Sequence, residues 1–203
     1  MIFDKKWDDA MKNNIRKFVG ILLIIIGIGI FSWVAYTKYT IYKEQQKLKD
    51  TFNQVLNQDN KKITDSNNDV NNKSDIVPIA ILKIQKINLD VAVGEGVDDK
   101  VLDYAIGHFP NTAMAGEKGN FALAGHRNFT YAEYFKDLDK LKIGDDIIVK
   151  TKEKEINYKV TDSFVVDPTD VKVLDATKDA TITLVTCTEG AKKRLIIKGV
   201  LSE

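Results

Sequence analysis

The run Phe18–Tyr36, FVGILLIIIGIGIFSWVAY, carries no charge over 19 consecutive positions of a 203-residue chain. As an α-helix it would span about 28 Å, close to the roughly 30 Å hydrocarbon core of a bilayer. Trp33 and Tyr36 sit near one end, where amphipathic rings favour the membrane interface. A cleaved signal peptide fits less well: the run is longer than a typical signal core, and no small-x-small cleavage pattern follows it. The segment is therefore read as an uncleaved signal-anchor over residues 18–36. Lys5, Lys6, Lys12, Arg16 and Lys17 precede it, and Lys38, Lys43, Lys47 and Lys49 follow it. The positive-inside rule then favours a cytoplasmic N-terminal tail, residues 1–17, by a small margin.

Beyond the anchor, Tyr39, Tyr42, Leu48, Phe52, Val55 and Leu56 recur at roughly helical spacing, which predicts a polar juxtamembrane helix over Thr37–Gln58. Asp59–Asp75, DNKKITDSNNDVNNKSD, is nearly free of apolar residues. Such a segment buries too little surface to offset its chain entropy and reads as a flexible linker. Residues 37–75 are thus assigned to stalk and linker, and residues 76–203 to one folded domain large enough to enclose a core. With 30 basic and 29 acidic residues the net charge is +1, which argues against a nucleic-acid partner, since that needs a basic face.

From Ile76 onward, short β-branched segments dominate. Strands are predicted at Ile79–Ile84, Asp90–Val93, Asn120–Ala124, Asp146–Thr151, Ile156–Val166, Thr181–Thr186 and Arg194–Leu201, punctuated by glycines. Two short helices fit between them, at Lys100–Ala105 and Tyr131–Leu138. Seven or eight short strands with few helices point to a mainly β fold, a closed or nearly closed barrel.

The chain has one cysteine, Cys187, at the end of the segment Thr181–Cys187. Arg194 opens the next β-branched segment, and His126 follows the segment Asn120–Gly125. A thiol, an imidazole and a guanidinium near three strand ends are the parts of a cysteine acyl-transfer site. A free thiol is only roughly 3% thiolate at pH 7, and a neighbouring cation favours the ionised form. Arginine stays protonated, so Arg194 cannot be the base, but it can bind a carbonyl or an oxyanion. His126 can protonate a leaving amine and deprotonate an incoming one. His108, the other histidine, lies in a Gly-His-Phe-Pro turn and takes a supporting or groove-lining role. Arg127 reads as a surface or ion-pairing residue. Asp167, Asp170, Asp175 and Asp179 lack the spacing of a calcium loop, so calcium is not indicated and no cofactor is expected.

Thr183-Leu184-Val185-Thr186-Cys187, the following Arg194 and the Ala124-Gly125-His126-Arg127 turn, taken together and in this order, resemble the signature of the sortases. So do Gly107–Ala113 and Val166–Asp170. Sortases are membrane-anchored cysteine transpeptidases of Gram-positive bacteria. The resemblance covers residues 76–203 and implies a closed eight-stranded barrel held outside the cell by the N-terminal anchor. It implies a triad of Cys187 as nucleophile, His126 as general acid/base and Arg194 as oxyanion or substrate stabiliser, with His108, Thr186, Leu184 and Ala124 as groove candidates. Cys187 and His126 would act through a minor thiolate–imidazolium fraction. The implied partners are surface proteins with a C-terminal LPxTG-like sorting signal, cut between Thr and Gly, and an amine of the cell wall or its precursor. The short loop between Cys187 and Arg194 and the Gly-His-Phe-Pro stretch are most like class D, with class E next. Apart from the resemblance, a cysteine hydrolase and a membrane-tethered binding domain stay open.

Overall fold

A single α-helix, α1, runs Phe3–Gln58. The computed structural model describes residues 3–58, 76–127 and 132–202, and the expected linker Asp59–Asp75 lies outside them. Among the described residues, one helix is long and apolar enough to cross a membrane, and its apolar side chains from Phe18 to Tyr36 lie exposed. The chain divides into two compact units, Met1–Thr40 and Ile41–Glu203.

The second unit is a closed barrel of eight strands: β1 Pro78–Ile84, β2 Leu89–Glu95, β3 Ile106–His108, β4 Gly119–Ala124, β5 Asp146–Lys150, β6 Glu155–Val166, β7 Ala180–Cys187 and β8 Arg194–Leu201. Their order around the barrel is β1-β2-β3-β4-β7-β8-β6-β5. The β2–β3 and β4–β7 pairs are parallel and the others antiparallel. Closure leaves no unpaired edge for other chains to extend. Seven of the strands match the sequence reading. The eighth, β3, is only three residues long, too short for an alternating pattern to reveal.

Alternation along each strand fills the interior. Leu82 and Ile84, Val91 and Val93, Phe121 and Leu123, Ile147 and Val149, and Ile182 and Leu184 all join one buried core. Tyr158 is fully enclosed, and its oxygen accepts a hydrogen bond from the Gly116 N–H at 2.6 Å. Burial raises this phenol above its ordinary pKa, so it stays neutral. Of the predicted helices, Lys100–Ala105 is realised as α2, Asp99–Leu102, capped by the Asp98 side chain on the Val101 N–H. Of the helix expected over Tyr131–Leu138, Tyr131 lies outside the described residues, and from Ala132 the chain makes turns ending in a 3-10 turn, Leu138–Lys140. The Phe135 N–H goes instead to the His126 carbonyl at 3.0 Å, and a helical bond is forgone.

The folded unit also reaches back to Ile41, beyond the boundary expected at Ile76. Ile41, Gln45, Leu48 and Phe52 lie within about 60° of one another around α1 and are all buried, whereas Tyr39 and Tyr42 are exposed. Leu48 packs with Ala92 of β2, Val101 and Ala105 in a second cluster. Ala92 alternates with the core residues Val91 and Val93, so this cluster sits on the outside of the barrel. Lys49 adds an ion pair to Asp90 at 2.9 Å. Leu48→Ala is expected to destabilise the barrel by about 2–4 kcal/mol, as for buried Leu truncations generally. Denaturant unfolding of the full chain checks this; an unchanged midpoint would mean that the helix contributes nothing to the folded unit.

Candidate active site

Cys187 ends β7 and is directly opposite Arg194, the first residue of β8. The next pair, Thr188 and Lys193, is hydrogen-bonded from N–H to carbonyl at 2.9 Å. Antiparallel pairs alternate, so Cys187 and Arg194 form the kind whose facing side chains are closest. The loop between them is tight: Gly190 and Ala191 both have positive φ, and the Thr188 hydroxyl accepts from the Lys193 N–H at 3.1 Å. Arg194 is half-buried, and among the described residues its Nη1 makes long contacts of 3.4 Å with the Ala191 and Lys193 carbonyls. Its fork is therefore weakly committed within the protein.

His126 arrives from the other side. In the parallel β4–β7 ladder, Ala122 pairs with Thr183 and Ala124 with Val185. The ladder continues past the strand: the Gly125 N–H donates to the Val185 carbonyl at 3.2 Å, and the Thr186 hydroxyl donates to the Gly125 carbonyl at 2.8 Å. Extending this register two residues brings His126 level with Cys187. Gly125 is required here, because a β-carbon would meet the Phe135 ring at 2.8 Å. Three neighbouring strands, β4, β7 and β8, thus bring imidazole, thiol and guanidinium to one end of the barrel. By parity all three positions belong to its outer face, since Leu123, Leu184 and Leu195 belong to the core.

This face is covered at one end and open at the other. In the first halves of β4 and β7, Asn120 and Thr183 are about 1% exposed and are joined by a 2.7 Å hydrogen bond from the Thr183 hydroxyl. The Asn120 amide also donates to the Val173 and Asp175 carbonyls at 3.0 and 3.3 Å. These bonds fasten the β6–β7 connection, with its 3-10 turn Val171–Leu174, onto the sheet. Ala124, Val185 and Cys187, further along, are only half-buried, and Cys187 is a free thiol. That leaves a strip of outer face leading to the sulfur.

The groove candidates separate on this geometry. Ala124 lies on the strip. Leu184 is fully buried in the core and Thr186 is 2% exposed with its hydroxyl occupied, so neither side chain presents surface to a ligand. Their positions alternate with Val185 and Cys187, and a strand cannot turn neighbouring side chains to one face. His108 is 2% exposed and stacked at 5.1 Å on Phe121. Its Nδ1 is 2.8 Å from a Glu95 carboxylate oxygen, and its Nε2 is 3.0 Å from the Thr112 hydroxyl. It supports the fold and does not line the strip. Val185, Asn120 and Thr183, placed in strands by the sequence, were not among the groove candidates, although an asparagine inside a strand, where it is disfavoured, was a usable signal. Arg127 pairs with Asp139 at 3.3 Å. In the acidic loop, Asp167 pairs with Lys193 at 3.7 Å and Asp170 accepts from the Lys172 N–H. Among the described residues no group of three or more His, Cys, Asp or Glu side chains comes together as a metal site. Two concavities of about 400 and 430 Å³ lie elsewhere, one between Pro78, Met114 and Lys152, the other at Lys86 and Asp145; neither includes Cys187.

The chain as a whole is similar to known proteins. Sortase SrtE1 of Streptomyces coelicolor is 39% identical over 142 residues, covering 61% of this chain and 40% of that protein. Sortase D of Bacillus subtilis is 27% identical, over 87% of this chain and 91% of its own length. The solved structure of a Clostridium perfringens sortase D5 transpeptidase superposes with a TM-score of 0.63 at 34% identity, covering 83% of this chain and 99% of that one. The sortase-domain family model matches residues 82–202, from within β1 past the end of β8. Cys187, Arg194 and His126 all lie inside that match, and this chain belongs to the sortase family.

Proposed function

We propose that the protein is a cysteine transpeptidase that cuts an LPxTG-like sorting signal between Thr and Gly and joins the new acyl end to an amine of the cell wall or its precursor. The observation that carries this reading is the Cys187–Arg194 cross-strand pair, with His126 level with Cys187 two residues beyond the end of β4. The Cys187 thiolate attacks the threonyl carbonyl carbon, and Arg194 hydrogen-bonds the developing oxyanion. As the C–N bond breaks, His126 gives its proton to the departing glycyl amine, leaving a thioester on Cys187. An incoming amine attacks that thioester, passes a proton to His126 and expels the thiolate. The half-buried Ala124–Val185 strip leading to Cys187 would seat the extended signal. The apolar helix 18–36 would anchor the enzyme with its N-terminus in the cytoplasm and its barrel outside. Similarity to two D-type sortases supports class D; similarity to SrtE1 keeps class E next to it.

The test is a panel of sorting peptides with and without a primary amine. Amine-dependent product is expected, whereas hydrolysis unaffected by amine would identify a peptidase instead. Cys187→Ala should abolish cleavage with the fold intact, because no second thiol exists to replace it. Cleavage within tenfold of wild type would overturn the assignment. His126→Ala should cost about 10²–10⁴ in rate, the usual worth of general acid/base catalysis. His108→Ala should act through stability, lowering the melting temperature, since it breaks the Glu95 and Thr112 contacts.

Arg194→Lys separates charge from directed hydrogen bonding, because lysine keeps the charge but loses the planar fork. Turnover should fall on the order of 10²-fold or more, as when an oxyanion donor is removed. Near-wild-type turnover would leave Arg194 with an electrostatic role only.

A further inference from the structure

The loop that carries His126 is fastened at a point that also touches α1. Phe135 donates its N–H to the His126 carbonyl, and Asp139 pairs with Arg127 beside it, so the 132–139 segment supports the histidine turn. Next to Phe135, the Tyr134 hydroxyl donates to the Tyr104 carbonyl at 3.1 Å. The same carbonyl accepts from the Gln45 side-chain amide of α1. The Gln45 oxygen in turn accepts from the Ala92 N–H at 3.0 Å. That N–H needs a side chain, because β3 begins at Ile106 opposite Val93 and leaves Ala92 beyond its end. Gln45 is 6% exposed, so these bonds are shielded from water. Burial also pushes the Tyr134 phenol well above its ordinary value, keeping it a neutral donor at any pH of interest.

We infer that Tyr134 is a positioning residue for His126, and that Gln45 extends this support to the juxtamembrane helix. The Tyr104 carbonyl, two residues past the end of α2, is the shared hub where α1 meets the segment behind His126. The inference rests on the acid/base role proposed for His126. A loosened segment would leave substrate binding on the Ala124–Val185 strip largely unchanged. It would lower the fraction of time the imidazole is placed to transfer its proton, and misplacement of about 1 Å can cost up to 10²-fold.

The experiment uses the full-length chain in detergent, with Tyr134→Phe, Gln45→Ala and the double variant. Val149→Ala, a core truncation on β5, serves as the control for lost stability alone. Three quantities are read: kcat and KM for peptide transfer to an amine, and the rate of hydrogen exchange of the Phe135 amide. Tyr134→Phe is expected to lower kcat about tenfold with KM within about twofold, and to speed Phe135 exchange about tenfold. Gln45→Ala should move both in the same direction, and the double variant should be little worse than Tyr134→Phe, because the two act through one carbonyl. Val149→Ala should lower the melting temperature with kcat unchanged. A Tyr134→Phe kcat within twofold of wild type, or an equal loss in Val149→Ala, would overturn the inference. If the wild-type chain transfers no peptide at all, the proposed function fails instead. The exchange measurement then decides alone: unchanged Phe135 protection in Tyr134→Phe would still refute the positioning role.

Discussion

The parallel ladder between β4 and β7 joins segments about sixty residues apart, and the candidate site depends on it. Neither strand alone brings two reactive groups together. The ladder sets Ala124 against Val185, and the bonds at Gly125 and Thr186 carry that register to the point where His126 meets the level of Cys187. A slip of one residue would exchange inner and outer faces along either strand. The core forbids it, because Phe121, Leu123, Ile182 and Leu184 would then leave the barrel interior. Packing of inward side chains therefore holds the alignment of outward reactive ones.

The outer face of this barrel carries most of what is specific to the chain. Over β2 it is covered by α1 and α2 through Leu48, Val101 and Ala105. Over the first halves of β4 and β7 it is covered by the β6–β7 connection, fastened through the buried Asn120–Thr183 pair. Each net hydrogen bond of this kind stabilises by only about 1 kcal/mol, but an orphaned buried partner costs about 1–3 kcal/mol. Such pairs therefore act more on where a loop sits than on whether the barrel folds. What stays half-open is the strip ending at Cys187.

The two histidines show how environment divides one residue type into two roles. Both follow glycine, and both lie near a strand end. His108 is enclosed, stacked on Phe121 and bonded to Glu95 and Thr112, so it has no surface for a substrate. His126 lies at the end of the β4–β7 ladder beside a free, half-buried thiol. The difference is one of strand parity and register. The motifs around them separate the two in the sequence, and the fold supplies the physical reason.

Much of this protein is legible in its sequence because the signals are local. The uncharged run over residues 18–36 can be recognised without any partner, and seven strands follow from β-branched segments between glycines. One cysteine leaves one candidate nucleophile, and its spacing to Arg194 places both at the ends of a hairpin. Tertiary structure decided the rest. Burial of Leu184 and Thr186 against half-exposure of Ala124 and Val185 depends on which face of the sheet closes inward. The three-residue β3 exists only because β2 and β4 flank it. The stretch Ile41–Gln58 reads as a polar stalk because its buried stripe holds a glutamine, Gln45, whose partners are the backbone groups of Ala92 and Tyr104, at least 47 residues away. Hydrogen bonds to distant backbone leave no trace in side-chain periodicity, so only the folded chain could show that this helix belongs to the barrel.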